Sequence, residues 1–254
     1  MVRNDTQTGF PAEGLNDEVW EHGSGNSGNG RMILCIADVV PSDLLVRIRK
    51  IISGERFVDG RETAGWHAKL VKDNRQAGGL SAVAEKARIE LVEALRTNEV
   101  FRSAVLPRAF RPLLFSRYEV GMAYGTHVDD AIMGNDDPAR TDVSFTVFLG
   151  SPDTYDGGEL VIESPGGEQA YKLEPGHAIV YPSTSLHRVE AVTRGVREVA
   201  VGWVQSLVRD PARREILFDL ETTRLSLFHQ HGKTREFDYL SKTYANLLRM
   251  WAEV

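Results

Sequence analysis

Apolar residues recur at helical spacing from Leu80 to Thr97, with Val83, Ala84, Ala87, Leu91 and Leu95 in one stripe. That stripe predicts a helix covering one face of a sheet. An earlier helix is predicted after Pro41-Ser42-Asp43, which offers caps to a segment carrying Leu44, Leu45, Ile48, Ile51 and Ile52 on the same period. Ahead of it, the apolar run Met32–Ile36 reads as a first strand. Between residues 110 and 206 the pattern changes. Short runs rich in Val, Ile, Phe and Tyr alternate there with Gly, Pro and Asp turns: Leu113–Val120, Val143–Leu149, Glu159–Ile162, His177–Tyr181, Leu186–Val192 and Val196–Gln205. Several short strands separated by turn signals indicate a sandwich or a barrel. The helical period returns at Asp210, a natural N-cap with Pro211 at the first helical position. Ile216, Leu217, Leu220 and Leu227 mark one helix; Phe237, Leu240, Tyr244, Leu247, Leu248 and Trp251 mark another. His229-Gln-His231-Gly232 reads as the exposed loop between them, with metal binding by its two histidines the lesser reading. Two amphipathic helices beside a barrel either pack on it or form the interface of a homodimer.

This patterning gives an α+β chain with a mainly β core, divided into a support region at 32–109, the core at 110–206 and a helical extension at 207–254. Residues 1–31, ending in Gly23-Ser-Gly-Asn-Ser-Gly-Asn-Gly30, are rich in Gly, Asn, Ser and Asp. Such a segment buries too little to offset its ordering entropy, and a disordered extension is expected. Composition changes the picture little: 42% hydrophobic and 26% charged residues are ordinary for a globular protein. The net charge of −6 offers no electrostatic reason to expect a nucleic-acid partner. No apolar run is long enough to span a bilayer, and the N-terminus lacks the basic-then-apolar pattern of a signal peptide. The single cysteine, Cys35, sits in an apolar run and excludes an intrachain disulfide. A cytoplasmic protein without a membrane partner is expected.

The chemistry gathers at Arg117-Tyr118-Glu119-Val120-Gly121-Met122-Ala123-Tyr124-Gly125-Thr126-His127-Val128-Asp129-Asp130. In extended backbone, residues i and i+2 point to the same side, so His127 and Asp129 can grip one metal ion. The competing reading of the pair is a solvated surface loop. His187 follows far down the chain, and Arg197 comes ten residues after it. Two histidines and one carboxylate with open positions form the facial triad of non-haem Fe(II) oxygenases. Tyr118 and Tyr124 flank the metal loop, either in the site or as core aromatics. Ser144 and Thr146 share one face of their strand, where they are candidate hydroxyl donors. Asn74 and Gln76 alternate, and either face a pocket or are solvated on an edge strand. Gly157-Gly158 suits a turn and a close backbone approach.

The run Tyr118…Gly121…Tyr124-Gly125-x-His127-x-Asp129, then Asp156-Gly-Gly-Glu-Leu160, Tyr181-Pro-Ser-x-Ser-Leu-His187-Arg-Val and Arg194-Gly-x-Arg197 resembles the PKHD-type hydroxylases. These are bacterial relatives of the prolyl 4-hydroxylases within the Fe(II)/2-oxoglutarate dioxygenases. The resemblance extends from about Met32 to the C-terminus. It implies a double-stranded β-helix (jelly roll) with N-terminal supporting helices and a C-terminal helical extension. It implies Fe(II) held by His127, Asp129 and His187, with 2-oxoglutarate and O2 as cosubstrates, succinate and CO2 as products, and ascorbate as a reductant. Arg197 becomes the anchor for the far carboxylate of 2-oxoglutarate, since guanidinium presents a planar fork of donors. Tyr118 falls in the active site, and Ser144 and Thr146 join the cosubstrate-binding set. Lys72-x-Asn74-x-Gln76 is similar to a family segment, which places Asn74 and Gln76 with Tyr124 among the candidate substrate-binding residues. Trp66 and His67 depart from the family pattern and become candidates for substrate tuning. His177 stands where relatives often carry an acid. An amino acid, a peptide, a protein side chain or a small metabolite all suit as substrate. The rival readings are a cupin-like hydrolase or isomerase using Zn or Mn, and a non-catalytic module sensing metal or 2-oxoglutarate.

One conflict arises within the sequence. Arg194-Gly195 signals a tight hairpin, which would pair Val192 with Arg197 and leave His187 five residues away, about 17 Å along the strand. A cosubstrate spanning metal and Arg197 needs the two residues close. The expectation is therefore a wide turn near Val192 that sets His187 and Arg197 opposite each other on neighbouring strands.

Overall fold

The computed structural model describes residues 32–134 and 136–254, so the extension expected at 1–31 lies outside the described residues. The chain opens with β1 (Leu34–Ile36), α1 (Ser42–Ser53), β2 (Phe57–Asp59), β3 (Lys72–Asp73) and β4 (Arg75–Ala77). α2 (Ala82–Thr97) and α3 (Glu99–Val105) follow, then β5 (Pro107–Phe110), β6 (Leu114–Tyr118), β7 (Ala123–His127), β8 (Ile132–Met133), β9 (Ala139–Arg140) and β10 (Val143–Phe148). Next come β11 (Asp156–Gly157), β12 (Leu160–Ser164), β13 (Gly167–Tyr171), β14 (Ala178–Pro182), β15 (His187–Val189), β16 (Val192–Arg194) and β17 (Arg197–Ser206). α4 (Pro211–His231) and α5 (Arg235–Trp251) complete it.

The large sheet runs β1-β14-β10-β17-β6-β4-β2, with β5 added on β17, and the second sheet runs β13-β12-β15-β7-β3. All pairings within them are antiparallel. From β6 onward the chain steps between the two: β6 lies in the large sheet, β7 in the second, β10 in the large, β12 and β13 in the second, β14 in the large, β15 in the second and β17 in the large. Such alternation is the strand path that a double-stranded β-helix requires.

The strand pleat sorts side chains into two clusters. On β10, Val143, Phe145 and Val147 join Phe115, Val180, Ala200 and Val204 in a core closed by Ile48 of α1, Leu91 of α2 and Phe101 of α3. The inward-facing Tyr118, Phe148, Ile179, Tyr181 and Val199 meet Leu160, Ile162 and Val189 of the second sheet. The helices thus brace one face of the large sheet and leave its other face to line the interior.

Local expectations were corrected in several places. Ser42 and Asp43 provide no side-chain cap: the N-cap of α1 is Pro41, and no side chain bonds there. Val83 falls outside the α2 stripe and is exposed, whereas Ala84, Ala87, Leu91 and Leu95 are buried. α4 continues through His229 and His231 to Gly232, whose φ of 70° ends the helix. Ile216 faces outward, while Leu217 is buried with Leu106 and Val208 in a third cluster. The apolar stripe of α5 (Tyr244, Leu247, Leu248, Trp251) packs on that cluster.

Neither hairpin foreseen between His187 and Arg197 forms. β15 and β17 do not pair, because they belong to opposite sheets. β16 lies between them and pairs instead with β11, Val192 opposite Gly157 and Arg194 opposite Asp156. Turn rules are local, whereas a sheet-to-sheet crossing is dictated by where the next strand finds its partners.

Gly202 lets β17 pass beneath Phe145, since a Cβ there would lie 2.4 Å from Cζ of that ring. Gly202→Ala is expected to destabilise the protein by about 1–3 kcal/mol through overpacking, seen as a lower urea midpoint with an unchanged slope.

Candidate metal centre and cosubstrate pocket

β7 and β15 are neighbours, with His127 and His187 directly opposite each other. Asp129 follows just beyond the end of β7. Its Oδ1 lies 4.0 Å from His127 Nε2, and its Oδ2 lies 3.8 Å from His187 Nε2. One ligand atom from each of the three residues falls within 4.8 Å of the others, and among the described residues no other such group occurs. His127 Nδ1 donates to the Gly125 carbonyl at 2.9 Å and His187 Nδ1 to the Ser185 carbonyl at 3.1 Å. A carbonyl can only accept, so these bonds fix the tautomer and leave both Nε2 atoms with free lone pairs. Ser144 Oγ donates to Asp129 Oδ2 at 2.6 Å and lies 2.8 Å from Ser183 Oγ. Tyr124 stacks on His127 with ring centroids 3.6 Å apart, and Tyr181 meets His187 edge-on.

The electrostatics suit metal binding. Burial, then the neighbouring His187, push His127 down to about 4, against the opposing pull of Asp129. It is therefore a neutral donor at neutral pH. Two imidazoles and one carboxylate on one side of a cavity fit a ferrous ion and leave coordination positions for exogenous ligands.

The triad opens on a cavity of about 460 Å³ bounded by both sheets. Arg197, at the start of β17, lines it with its side chain almost wholly buried (1% exposed). Its guanidinium lies over Tyr118 at 5.0 Å and Phe148 at 5.6 Å, and no carboxylate is within ion-pair distance of it among the described residues. Its Nε is buried without a hydrogen-bond partner, as is the neighbouring Tyr155 hydroxyl. Gly158, at φ 68°, makes room for it: a Cβ would come 2.9 Å from Arg197 Cδ. A buried cation with unmet donors fits an anion bound in the cavity.

His127, Asp129, His187 and Arg197, singled out from the sequence, all line one cavity. Tyr118, Tyr124, Thr146, Asn74 and Gln76 also line it. Ser144 has a different task from the one expected: its hydroxyl is engaged by Asp129, so it orients a ligand and does not serve as a free donor to cosubstrate. Trp66 does not line the cavity; it is 83% exposed and packs edge-on against His67, because the turn after Gly65 directs it to solvent. His177 lies outside the cavity, 3.6 Å from Asp38, and His229 and His231 belong to no metal-capable group among the described residues. Two lining residues escaped notice. Tyr181 is an inward residue of β14 in an otherwise apolar strand. Lys72 stood in the quoted Lys-x-Asn-x-Gln segment, yet lysine patterns as a surface residue. A second cleft of about 620 Å³, bordered by Arg140, Arg213 and Trp251 below the C-terminal helices, contains none of the triad.

Comparison with known proteins agrees with this geometry. A family model described as "2OG-Fe(II) oxygenase superfamily" matches residues 113–205, and one described as "PKHD-type hydroxylase C-terminal domain" matches residues 211–253. A PKHD-type hydroxylase of Acaryochloris marina is 54% identical over 222 residues, covering 87% of this chain and 100% of the relative. One from Rippkaea orientalis is 57% identical over the same span and coverage. Among solved structures, an oxidoreductase of the 2OG-Fe(II) oxygenase family from Burkholderia pseudomallei shares the fold, with a TM-score of 0.52, 22% identity, and coverage of 68% of this chain and 84% of that one.

The depressed His127 has a consequence for metal-free protein. An unfolded imidazole takes its proton near 6.5, the buried one near 4. The unfolded state therefore binds more protons in that window, and stability present above pH 6.5 is lost as pH falls towards 4. His127→Gln is expected to flatten that part of the Tm–pH curve, and the check is a pair of thermal melts across the range.

Proposed function

Since the chain belongs to the PKHD-type hydroxylases, and so to the 2-oxoglutarate- and Fe(II)-dependent dioxygenases, we propose that His127, Asp129 and His187 hold its iron and that Arg197 anchors its cosubstrate. The reaction is hydroxylation of a substrate that neither fold nor family name specifies. The observation that carries the assignment is Arg197: a buried guanidinium with an unpartnered Nε, in the same cavity as three converging metal ligands. A cupin-like hydrolase would have no use for that cation.

Bound together, ferrous iron and 2-oxoglutarate supply an oxidant from O2 as the cosubstrate decarboxylates to succinate and CO2. The chain's own residues do the rest. The Gly125 and Ser185 carbonyls keep both imidazoles aimed inward, and Ser144 holds the Asp129 carboxylate at a fixed rotation. Arg197 offers parallel N–H donors to the distal carboxylate, backed by Tyr118 and Phe148. Thr146 and Tyr181 border the same space, and the Tyr181 phenol is held well above its usual range by burial, so it stays protonated and able to donate. Tyr124, Asn74 and Gln76 form the substrate side of the cavity. Ascorbate would be the reductant for an iron held there.

The proposal extends to the setting. Among the described residues no helix is long and apolar enough to cross a membrane. We place the enzyme in the cytoplasm, acting on a small molecule or peptide and not on nucleic acid. Two copies pair through the outer side of α4 and α5, where Phe228, Tyr239 and Met250 are exposed. Sedimentation of the wild type against a Tyr239→Glu/Met250→Glu variant tests the pairing, with a dimer converting to monomer expected.

Arg197→Ala is expected to weaken 2-oxoglutarate binding about ten- to a hundred-fold, from a net loss of about 1.5–3 kcal/mol of charge-assisted hydrogen bonding in all, while Fe(II) affinity holds. Arg197→Lys should recover part of the loss, because ammonium keeps the charge without the fork. Gly158→Ala, which pushes on Arg197 Cδ, should weaken the cosubstrate in the same direction. Anaerobic titration of the Fe(II)–2-oxoglutarate charge-transfer band measures all three. Unchanged cosubstrate affinity in Arg197→Ala would sink the anchor assignment, and full hydroxylation by Asp129→Ala would sink the triad.

A further inference from the structure

Lys72 is a buried cation that the iron and cosubstrate assignments do not use. Its side chain sits in β3, whose partner in the second sheet is β7, with Lys72 directly opposite Tyr124. It is 6% exposed and lines the cavity. Its ammonium donates to Thr63 Oγ1 at 3.2 Å and stands 5.1 Å from the centre of the Tyr124 ring. Among the described residues no carboxylate lies within ion-pair distance of it, and Thr63 is its one hydrogen-bond partner. Thr63 in turn bonds to Gln76 Oε1, and Gln76 Nε2 donates to Ser116 Oγ at 3.3 Å. Thr63 and Gln76 are therefore already committed, and two of the ammonium's three donors have no protein partner among the described residues.

Lysine is almost never so buried without a partner, because removing a charge from water is costly unless something compensates it. Arg197 and Lys72 are the two cationic side chains among the described residues lining the cavity. With ferrous iron and a dianionic cosubstrate in place, the charges of iron and Arg197 balance those of Asp129 and 2-oxoglutarate. Lys72 is left over. Asp130 also borders the cavity, but it is exposed against the Gly65 turn, where water screens its charge. Lys72 and Thr63 come from the segment before α2, outside the 113–205 match that carries the iron and cosubstrate residues. Recognition added there, on a Lys-x-Asn-x-Gln segment similar to one in the PKHD-type hydroxylases, would be shared within that family and set apart from the wider oxygenase core.

We propose that Lys72 is a substrate-binding residue, its ammonium pairing with a carboxylate of the primary substrate, so that the enzyme acts on a carboxylic acid. This rests on the iron–cosubstrate reading above. The carboxylate has two sources, a free acid or chain terminus, and an internal Asp or Glu side chain of a peptide.

The test uses holoenzyme with Fe(II) and 2-oxoglutarate under anaerobic conditions and reads perturbation of the charge-transfer band. The probes are N-acetyl amino acids as free acids and as primary amides, and amide-capped peptides carrying Asp or Glu against the same peptides with Asn or Gln. Acids in one of the two sets are expected to act at concentrations at least ten-fold below their amide counterparts, and the responding set identifies the source. Lys72→Met should erase that preference and Lys72→Arg should keep most of it, with the 2-oxoglutarate titration unchanged within two-fold in both. Lys72→Gln replaces the methionine variant if that one fails to fold. Acids no better than amides on wild type, or an acid preference that survives Lys72→Met, overturns the proposal. So does an equal loss of 2-oxoglutarate affinity, which assigns Lys72 to the cosubstrate. A wild type that gives no band with 2-oxoglutarate overturns the iron–cosubstrate reading first, and this one with it.

Discussion

A guanidinium enclosed by protein, with no carboxylate beside it among the described residues, is the constraint around which the interior is arranged. Folding must remove Arg197 from water, and such burial is unfavourable unless the neighbourhood compensates. The surroundings give partial compensation. Tyr118 and Phe148 present ring faces, Tyr155 lies alongside, and Gly158 withholds the Cβ that would strike the side chain. What they omit is the anion. On the proposed assignment, an anion bound in the cavity would satisfy Arg197, and its binding would then add to the stability of the loaded protein.

The alternation of strands between two sheets explains how distant residues meet. Because successive strands alternate between sheets, β15 and β17 reach the same cavity from opposite walls, although the chain between them is short. His187 arrives from the second sheet beside His127, and Arg197 arrives from the large sheet beside Tyr118. A hairpin would have put His187 and Arg197 on one wall. A crossing puts them on two, with the cavity between. The helices α1–α3 contribute by occupying the other face of the large sheet, so that its inward residues are free to be polar.

Much of this was legible in the sequence, and the misses share one cause. The triad could be read because His-x-Asp is local and the pleat makes i and i+2 neighbours, while Arg197 was legible through its place in a family pattern. The inward alternation of Ser144 and Thr146 was visible, but the bond from Ser144 to Asp129 was not, since it joins a strand of the large sheet to the loop just beyond β7 of the second. The same holds for the His187–Arg197 connection, where a strong local turn signal was overridden by the pairing of β16 with β11. Trp66 was singled out by its chemistry, yet a single turn decided that it faces solvent. Val83 shows the lesser error of helical periodicity, which fixes a stripe only to within one residue at its edge.

Lys72 marks the deeper limit. Read along the chain, Lys-Asp-Asn-Arg-Gln is a polar stretch suited to an exposed edge, and half of it is: Asp73 and Arg75 point outward. The alternate residues Lys72, Asn74 and Gln76 are buried because β3 and β4 add themselves to different sheets, β3 beside β7 and β4 beside β6. One short polar segment thereby walls the cavity from both sides. A sequence cannot announce that a charge will be buried when the burial is created by two separate sheet edges. Where polar alternation follows the strand period without an apolar face, the inward face can be a binding wall, and the unmet donors on it describe the ligand.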